Sequence, residues 1–211
     1  MKKLSILVLG LLMFSCNSDD SNDTQEDSSS AVAFFKANLT NLSVNYIQDN
    51  SNSPSHVNQQ SIGYSATGSN KSFYYSSNMQ PLGLNDYPSL DITLHHMYES
   101  TDENTETTNF NTIFSNKPTN FITSTQDFNW TKGVSVTYTD NNDDTYSTLS
   151  GSQTGSTITY TSTVAGTNSL TGLQTQTVTG TVACKLYKDN DPSVIINLTA
   201  GSFKLVFQEY N

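Results

Sequence analysis

The residues most suggestive of metal chemistry form an acidic loop, TDNNDDTYS. Asp140, Asn142 and Asp144 follow the i, i+2, i+4 spacing of a calcium loop, in which side-chain oxygens converge on one ion. The rest of that pattern is missing. Thr145 stands at position six, where glycine makes the sharp turn, and Gly151 stands at position twelve, where glutamate binds. We therefore favour a solvated hairpin loop and predict no metal site, with these three residues as an incomplete calcium pattern.

The histidines do not provide a second metal pattern. His95 and His96 are adjacent on a predicted strand, and neighbouring side chains of a strand point to opposite faces of the sheet. They cannot readily bind one ion, and His56 is far away in a polar loop. We interpret all three as structural or surface residues.

The sequence also contains little evidence of a serine or cysteine nucleophile. The chain contains no G-x-S-x-G element, although its many serines leave a Ser-His-Asp triad open. Cys184 shares the apolar face of a predicted strand with Val182 and Leu186, and a buried thiol behaves as a small hydrophobe with a raised pKa. We predict no catalytic residue, no cofactor and no enzymatic activity.

Aromatic residues offer the remaining chemistry for ligand binding. Phe73, Tyr74 and Tyr75 are consecutive on a predicted strand, so at least one ring must face away from the core. Tyr74 is that ring if Phe73 and Tyr75 share the core face. Sugars stack on exposed rings, which makes Tyr74 and the only tryptophan, Trp130, the candidate ligand-binding residues. The alternative is a core pair plus an ordinary surface tyrosine.

The N-terminus has the pattern of a secretory signal. Two lysines precede an apolar stretch, residues 4–14, which is about half the ~20 residues that a membrane-spanning helix needs. We therefore predict that residues 1–15 are a signal peptide. The cleavage region, LMFSC, resembles a lipobox, in which Cys16 is acylated and becomes the mature N-terminus, although a phenylalanine stands where a smaller residue is usual. The alternative is an ordinary signal peptide with an incidental cysteine.

The residues after Cys16 add a sorting signal. Ser18, Asp19 and Asp20 resemble the acidic export signal that follows the lipidated cysteine in surface lipoproteins of Bacteroidota. The resemblance implies an outer-membrane protein, anchored by lipid and facing the cell exterior. The alternative is a periplasmic protein with an acidic tether.

The rest of the chain divides into a tether and one domain. Residues 17–30 contain no apolar side chain and should form a disordered tether with a reach of roughly 20 Å. Residues 31–211 have the length of a single domain. The chain carries 9 basic and 19 acidic residues and no arginine, which argues against nucleic acid, anionic lipid and phosphate as partners. If Cys16 is acylated, Cys184 has no disulfide partner.

Apolar residues with a period of two predict an all-β domain. The clearest segments are GVSVTYT, STITYTSTV, TVTGTVACKLY and SLDITLHHMY. Burial of one face belongs to antiparallel sheets, so we predict an antiparallel β-sandwich, with an open β-barrel as the alternative. Even-numbered apolar residues of two strands, among them Val164 and Val194, should face the core. The parity changes between Leu198 and Phe203, which predicts a bulge or bend at Gly201, or else a tight turn.

One segment, TTNFNTIFSNKP, predicts a short helix. Phe110, Ile113 and Phe114 follow the i, i+3, i+4 spacing of one helical face. Thr108 or Asn109 could cap its start, and the proline that follows could end it. We expect this helix to plug one end of the sheet.

The C-terminal part of the chain resembles uncharacterised β-rich lipoproteins of Bacteroidota. Those proteins close with a G-T-x-x-x-x-L-Y element and a second element that contains T-x-G-x-F. The matching residues here are Gly180, Thr181, Leu186, Tyr187, Ile196, Thr199, Gly201 and Phe203. The likeness covers roughly residues 134–207 and implies a β-sandwich surface lipoprotein, with no functional residue to carry over.

Two functions follow from these observations. A non-catalytic docking or accessory subunit of an outer-membrane complex should present an apolar patch outside its core. The alternative, a surface module that binds glycans or nutrients, should present a groove lined by aromatic and polar side chains. The expected partners are the membrane, through the lipid anchor, and either a protein complex or a glycan.

Overall fold

The structure of the protein is a computed structural model that describes residues 31–67, 70–83, 87–99, 106–124 and 132–210. Most of these residues lie in β-strands, and the chain forms one α-helix within the described ranges. The strands are β1 (Ala33–Leu39), β2 (Leu42–Gln48), β3 (His56–Thr67), β4 (Asn70–Pro81), β5 (Ser89–Glu99), β6 (Lys132–Thr139), β7 (Thr145–Ser147), β8 (Thr157–Thr167), β9 (Gln174–Lys188) and β10 (Asp191–Gln208). Helix α1 (Glu106–Ser115) lies between β5 and β6. The prediction of an all-β fold with one short helix is confirmed.

All ten strands belong to one open antiparallel sheet. Its order is β2-β1-β10-β9-β7-β6-β5-β4-β3, and β8 pairs with β9 outside this path. Strand β10 occupies one side of β9 along its length, so β8 and β7 share the other side, with β7 pairing only at Tyr187 and Lys188. The short β7 therefore joins two halves, one made of β3–β6 and one made of β1, β2 and β8–β10.

The two halves pack against each other around one core. Phe35 and Phe203 come from one half and Tyr75 and Leu94 from the other, and all four are fully buried in a single cluster. An open sheet whose halves share a core is consistent with both the sandwich and the open barrel.

Polar side chains of β3 and β4 form hydrogen bonds with β10 where the two halves of the sheet meet. The N–H group of Val206 donates to Oδ1 of Asn58 at 3.0 Å, and Oγ of Ser77 donates to the Val206 carbonyl at 2.7 Å. Strand β1 pairs with β10 only as far as Lys204, so it cannot bond the main chain of Val206. Asn58 and Ser77 satisfy the N–H and carbonyl groups of Val206 instead.

Helix α1 covers one part of this core with aromatic rings. The ring centroids of Phe110 and Phe114 lie 5.2 Å and 5.9 Å from that of Tyr75. Phe114 also lies 5.2 Å from Phe207, so the helix contacts rings from both halves of the sheet. Offset and edge-on contacts of this kind add to the gain from burial.

The helix was predicted correctly, but its start was not. It begins at Glu106, so Thr108 and Asn109 lie within the helix and do not cap it. The acidic Glu106 in the first turn complements the helix dipole, which favours the earlier start.

The change of parity near the C-terminus is a bulge, as predicted. Leu198 pairs with Cys184 and Gly201 pairs with Val182, so β10 contains one extra residue between the two pairs. Ala200 adopts a φ of 50° there. A Cβ on Gly201 would lie 2.4 Å from the Val182 carbonyl oxygen, which explains the glycine.

A second bulge makes the prediction for Val164 wrong. Tyr160 pairs with Gly180 and Ser162 pairs with Thr179, which leaves one extra residue in β8. The following residues are shifted by one position, and a shift of one residue moves a side chain to the other face. Val164 is consequently 62% exposed.

Candidate functional site

A pocket of about 270 Å³ opens at one end of the sheet, between its two halves. One half contributes the β1–β2 turn and the start of β10, and the other contributes the end of β6. The lining residues are Leu39, Thr40, Asn41, Leu42, Tyr138, Asp140, Ile195 and Ile196. Five of the eight are apolar or aromatic, and small-molecule pockets are usually about 300–1,000 Å³. The pocket therefore suits one or two side chains of another protein better than a large ligand.

The β1–β2 turn forms one wall of the pocket. Leu39 pairs with Leu42, so Thr40 and Asn41 make a two-residue turn. The Thr40 N–H donates to the Asn197 carbonyl at 3.0 Å, and the Asn197 N–H donates to Oγ1 of Thr40 at 2.9 Å. These bonds fix the turn against β10 and hold Leu42, which is 50% exposed, at the edge of the pocket.

The start of β10 forms the adjoining wall, next to the β1–β2 turn. Asp191 pairs with Lys188, but the next pair is that of Ile195 with Tyr187, so three residues bulge out of the ladder. The proline among them has no N–H group to donate to a partner strand. Val194 and Ile195 are consequently 41% and 43% exposed. The prediction that Val194 faces the core is wrong for this reason.

We call Leu42, Val194, Ile195 and the pocket beside them the open-end patch. The described residues include six large apolar side chains that are exposed, and three of the six belong to this patch. Single exposed apolar residues are common on protein surfaces. Leu42 and Ile195 instead line one pocket, with Val194 next to Ile195 in the chain, and such a group indicates a binding surface.

The acidic loop lies beside this pocket and is a tight turn. Oδ1 of Asp140 accepts hydrogen bonds from the N–H groups of Asn142 and Asp144 at 2.8 Å and 3.0 Å. Oδ2 of Asp144 accepts a hydrogen bond from Nζ of Lys188 at 2.6 Å, which raises the pKa of that lysine. Calcium would have to compete with both interactions. Across the described ranges, no three His, Cys, Asp or Glu side chains are grouped to hold a metal ion.

Tyr138 forms the floor of the pocket next to this turn. Its side chain is buried, and burial, followed by the neighbouring Asp140 and Tyr146, raises the pKa of its hydroxyl. The phenol is therefore neutral at physiological pH and can serve as a hydrogen-bond donor.

Tyr74 faces away from the core, as the alternation predicts. Phe73 and Tyr75 are buried in the core, whereas Tyr74 is half-buried on the opposite face. A Cβ on Gly63 would lie 2.3 Å from the Tyr74 hydroxyl oxygen, so the ring lies over that glycine on β3. Trp130 is outside the described residues. A shared glycan platform of Tyr74 and Trp130 stays a prediction.

The same outer face carries a network of polar side chains that the sequence reasoning missed. Oγ of Ser76 donates to Oδ2 of Asp91, and Oγ1 of Thr93 donates to Oδ1 of Asp91 at 2.7 Å. Nε2 of His95 lies 2.9 Å from Oγ of Ser135. The cross-strand pairing of SLDITLHH with its neighbours could have indicated these contacts, but only once the register was known.

This network does not form a Ser-His-Asp triad. His95 contacts Ser135, but Asp91 lies four residues away along β5, which separates Cα atoms by roughly 13 Å. Burial lowers the pKa of His95 to about 4, so the ring is neutral and is a poor general base at pH 7. Burial raises the pKa of Asp91 against the opposing effect of its two hydroxyl partners. These groups are consistent with a structural role.

Of the remaining residues that the sequence analysis singled out, Cys184 lies in the described part of the chain and the N-terminal residues lie outside it. Cys184 is buried, and burial raises the pKa of its thiol to about 12, which disfavours a nucleophilic role. The signal peptide, Cys16, the export signal Ser18, Asp19 and Asp20, and the tether lie outside the described residues. In the part of the chain that is described, no helix is long and apolar enough to cross a membrane.

The sequence and the fold were also compared with known proteins. No protein-family model, no curated protein and no solved structure matches the chain. The likeness to Bacteroidota lipoproteins stays a prediction, and the functional argument depends on the open-end patch and on the N-terminal pattern.

Proposed function

We propose that the protein is a non-catalytic docking or accessory subunit of an outer-membrane complex, held at the cell surface by a lipid on Cys16. The observation that carries this proposal is the open-end patch. Leu42 and Ile195 are each about half exposed beside an apolar pocket. Covering such a side chain with a partner should contribute about 1 kcal/mol for each residue.

The N-terminal pattern supports the same function. A lipid on Cys16 and a tether with a reach of roughly 20 Å would keep the domain near the membrane. At that distance the open-end patch can contact the exposed part of a membrane protein. The network of Asp91 and His95 offers no catalytic arrangement that would favour an enzyme.

Capture of the partner tests the docking function. The full chain, with a C-terminal tag, is cross-linked lightly in intact cells and purified from the native outer membrane in mild detergent. We expect one membrane protein in stoichiometric amount. Ile195→Asp should abolish most of this recovery, because it places a charge in the patch. Val164→Asp is the matched control, since Val164 is an exposed apolar residue on β8, away from the patch.

Two results would contradict the docking function. One is recovery of the lipoprotein alone, and the other is equal recovery of the partner by Ile195→Asp. Either result would direct attention to the glycan-binding alternative, with glycan arrays and variants of Tyr74 and Trp130 as the next measurements.

The anchor requires a separate test. Cys16→Ser should prevent incorporation of a labelled palmitate and release the protein from the membrane fraction. Replacing Asp19 and Asp20 with asparagine should leave the palmitate in place but reduce the fraction that external protease can digest on intact cells. Unchanged labelling of Cys16→Ser would exclude the lipobox.

A further inference from the structure

The chemistry of the open-end patch indicates what kind of partner segment it binds, provided that the proposed docking function holds. Four of the eight lining residues, Leu39, Leu42, Ile195 and Ile196, are aliphatic, and the buried ring of Tyr138 lies with them. Burying a polar group there without a hydrogen bond would cost free energy, so the group that enters should be an aliphatic or aromatic side chain.

The edge of the pocket has the opposite character. Asp140 is part of the lining, and Asp143 is exposed in the same turn. The β9–β10 turn lies against β7, because the Asp189 N–H donates to the Thr145 carbonyl at 3.0 Å and Oδ1 of Asp189 accepts from Oγ of Ser147 at 3.0 Å. The carboxylates of both turns therefore surround one end of the sheet.

This acidic edge is not neutralised by its own lysine. Residues 140–144 and 188–196 contain five aspartates and one lysine. That lysine, Lys188, forms an ion pair with Asp144. The two turns contain no second lysine to pair with the other four aspartates. Close charges of opposite sign on a partner would be attracted, and charges of the same sign would be repelled.

We infer that the patch binds a basic segment of a partner protein, in which an apolar side chain enters the pocket and flanking lysines or arginines face the aspartates. Charge argues against two other occupants, and the apolar pocket argues against a third. A second copy of this chain has a net charge of −10 and no arginine, and anionic lipid would meet the same carboxylates. A neutral glycan has no apolar side chain to fill the pocket.

Binding of three matched peptides to the full chain in detergent tests this inference. Each labelled peptide carries a central Leu-Ile pair, and its flanking residues are all lysine, all serine or all glutamate. We expect the lysine peptide to bind tightest and the glutamate peptide to bind about tenfold more weakly at low salt. The difference should shrink at high salt, which screens exposed charges.

Four variants assign the result to the patch. Ile195→Ser should weaken the lysine peptide strongly, while Val164→Ser should not. The double variant Asp143→Asn/Asp191→Asn should lose about threefold in affinity, since two exposed charges are removed. Asp49→Asn removes a charge after the far end of β2 and serves as its control.

The outcomes separate this inference from the docking function. Equal binding of the three peptides, or tighter binding of the glutamate peptide, would overturn the inference. Docking would still stand if the membrane partner is recovered by the wild type and lost in Ile195→Asp. Unchanged binding of the lysine peptide by Ile195→Ser would show general attraction to an acidic protein and would also overturn it. A dimer of the full chain that Ile195→Ser dissociates would identify a second copy as the occupant and overturn it as well.

Discussion

Two regions of this molecule reverse the usual relation between polarity and burial. On the outer face of β4–β6, Ser76, His95 and Ser135 are buried, and they take part in hydrogen bonds within the sheet. At the open end, Leu42 and Ile195 are exposed beside an apolar pocket. In the first region these three buried side chains have hydrogen-bond partners within the sheet, and the second leaves apolar surface uncovered.

The difference separates stability from function. A buried polar network costs free energy if one member loses its partner, so variants there should change folding. An exposed apolar patch contributes little to folding, so variants there should change binding instead. If variants of the polar region left stability unchanged, or variants of the open-end patch lowered it strongly, this contrast would be wrong.

The largest effect of pH on stability should come from His95. Burial lowers its pKa to about 4, so the folded state favours the neutral ring. The unfolded state then takes up more protons below pH 6.5, and the stability that depends on the neutral ring is lost as the pH falls towards 4. Between pH 7.5 and 3.5, the wild type should lose about 3 kcal/mol more of its free energy of unfolding than His95→Gln. Urea unfolding at each pH measures both.

Two checks accompany this prediction. Burial and Lys132 also lower the pKa of His96, so His95→Gln should keep part of the pH dependence. Ser135→Ala removes one hydrogen-bond partner of His95 without removing the titrating ring, and should cost about 1 kcal/mol at pH 7.5. Identical pH profiles of the wild type and His95→Gln would show that the ring is solvated.

Asp91 should produce a smaller effect of opposite direction. Burial raises the pKa of its carboxyl group, so the folded state favours the protonated form. The associated stability is present below the unfolded pKa of about 3.9 and is lost as the pH rises through the folded value. Asp91→Asn should match the wild type in free energy of unfolding near pH 3 and exceed it at pH 8. A difference that does not change with pH would mean that the carboxylate is not destabilised.

Much of this fold follows from the alternation of the sequence, and the exceptions have a common cause. Val134, Val136 and Tyr138 are buried as the period of two predicts. Val164 is exposed because an extra residue in β8 changes the register before it, and Val194 is exposed because it is itself one of the extra residues in β10. A bulge depends on the partner strand, so a period within one strand cannot locate it unless the parity itself changes, as it does before Gly201.

The candidate site was less predictable than the fold. The open-end patch joins the β1–β2 turn, the end of β6 and the start of β10, which are far apart in the sequence. No motif marks it, and the apolar residues that form it look like ordinary core residues. The sequence pointed instead to the acidic loop, whose Asp140 does line the pocket, although as its edge and not as a calcium ligand set.

The smallest effect on stability should come from the open-end patch itself. Leu42→Ser/Ile195→Ser removes two apolar side chains that are 50% and 43% exposed, so the free energy of unfolding should fall by about 1 kcal/mol at most. The same double variant should lose the membrane partner. Leu90→Ser provides the contrast, because Leu90 is fully buried and its removal should cost several kcal/mol. Urea unfolding of the full chain in detergent, alongside partner recovery, measures both properties. A large loss of stability in the double variant would place these side chains in the core and remove the reason to regard the patch as a surface kept free for another protein.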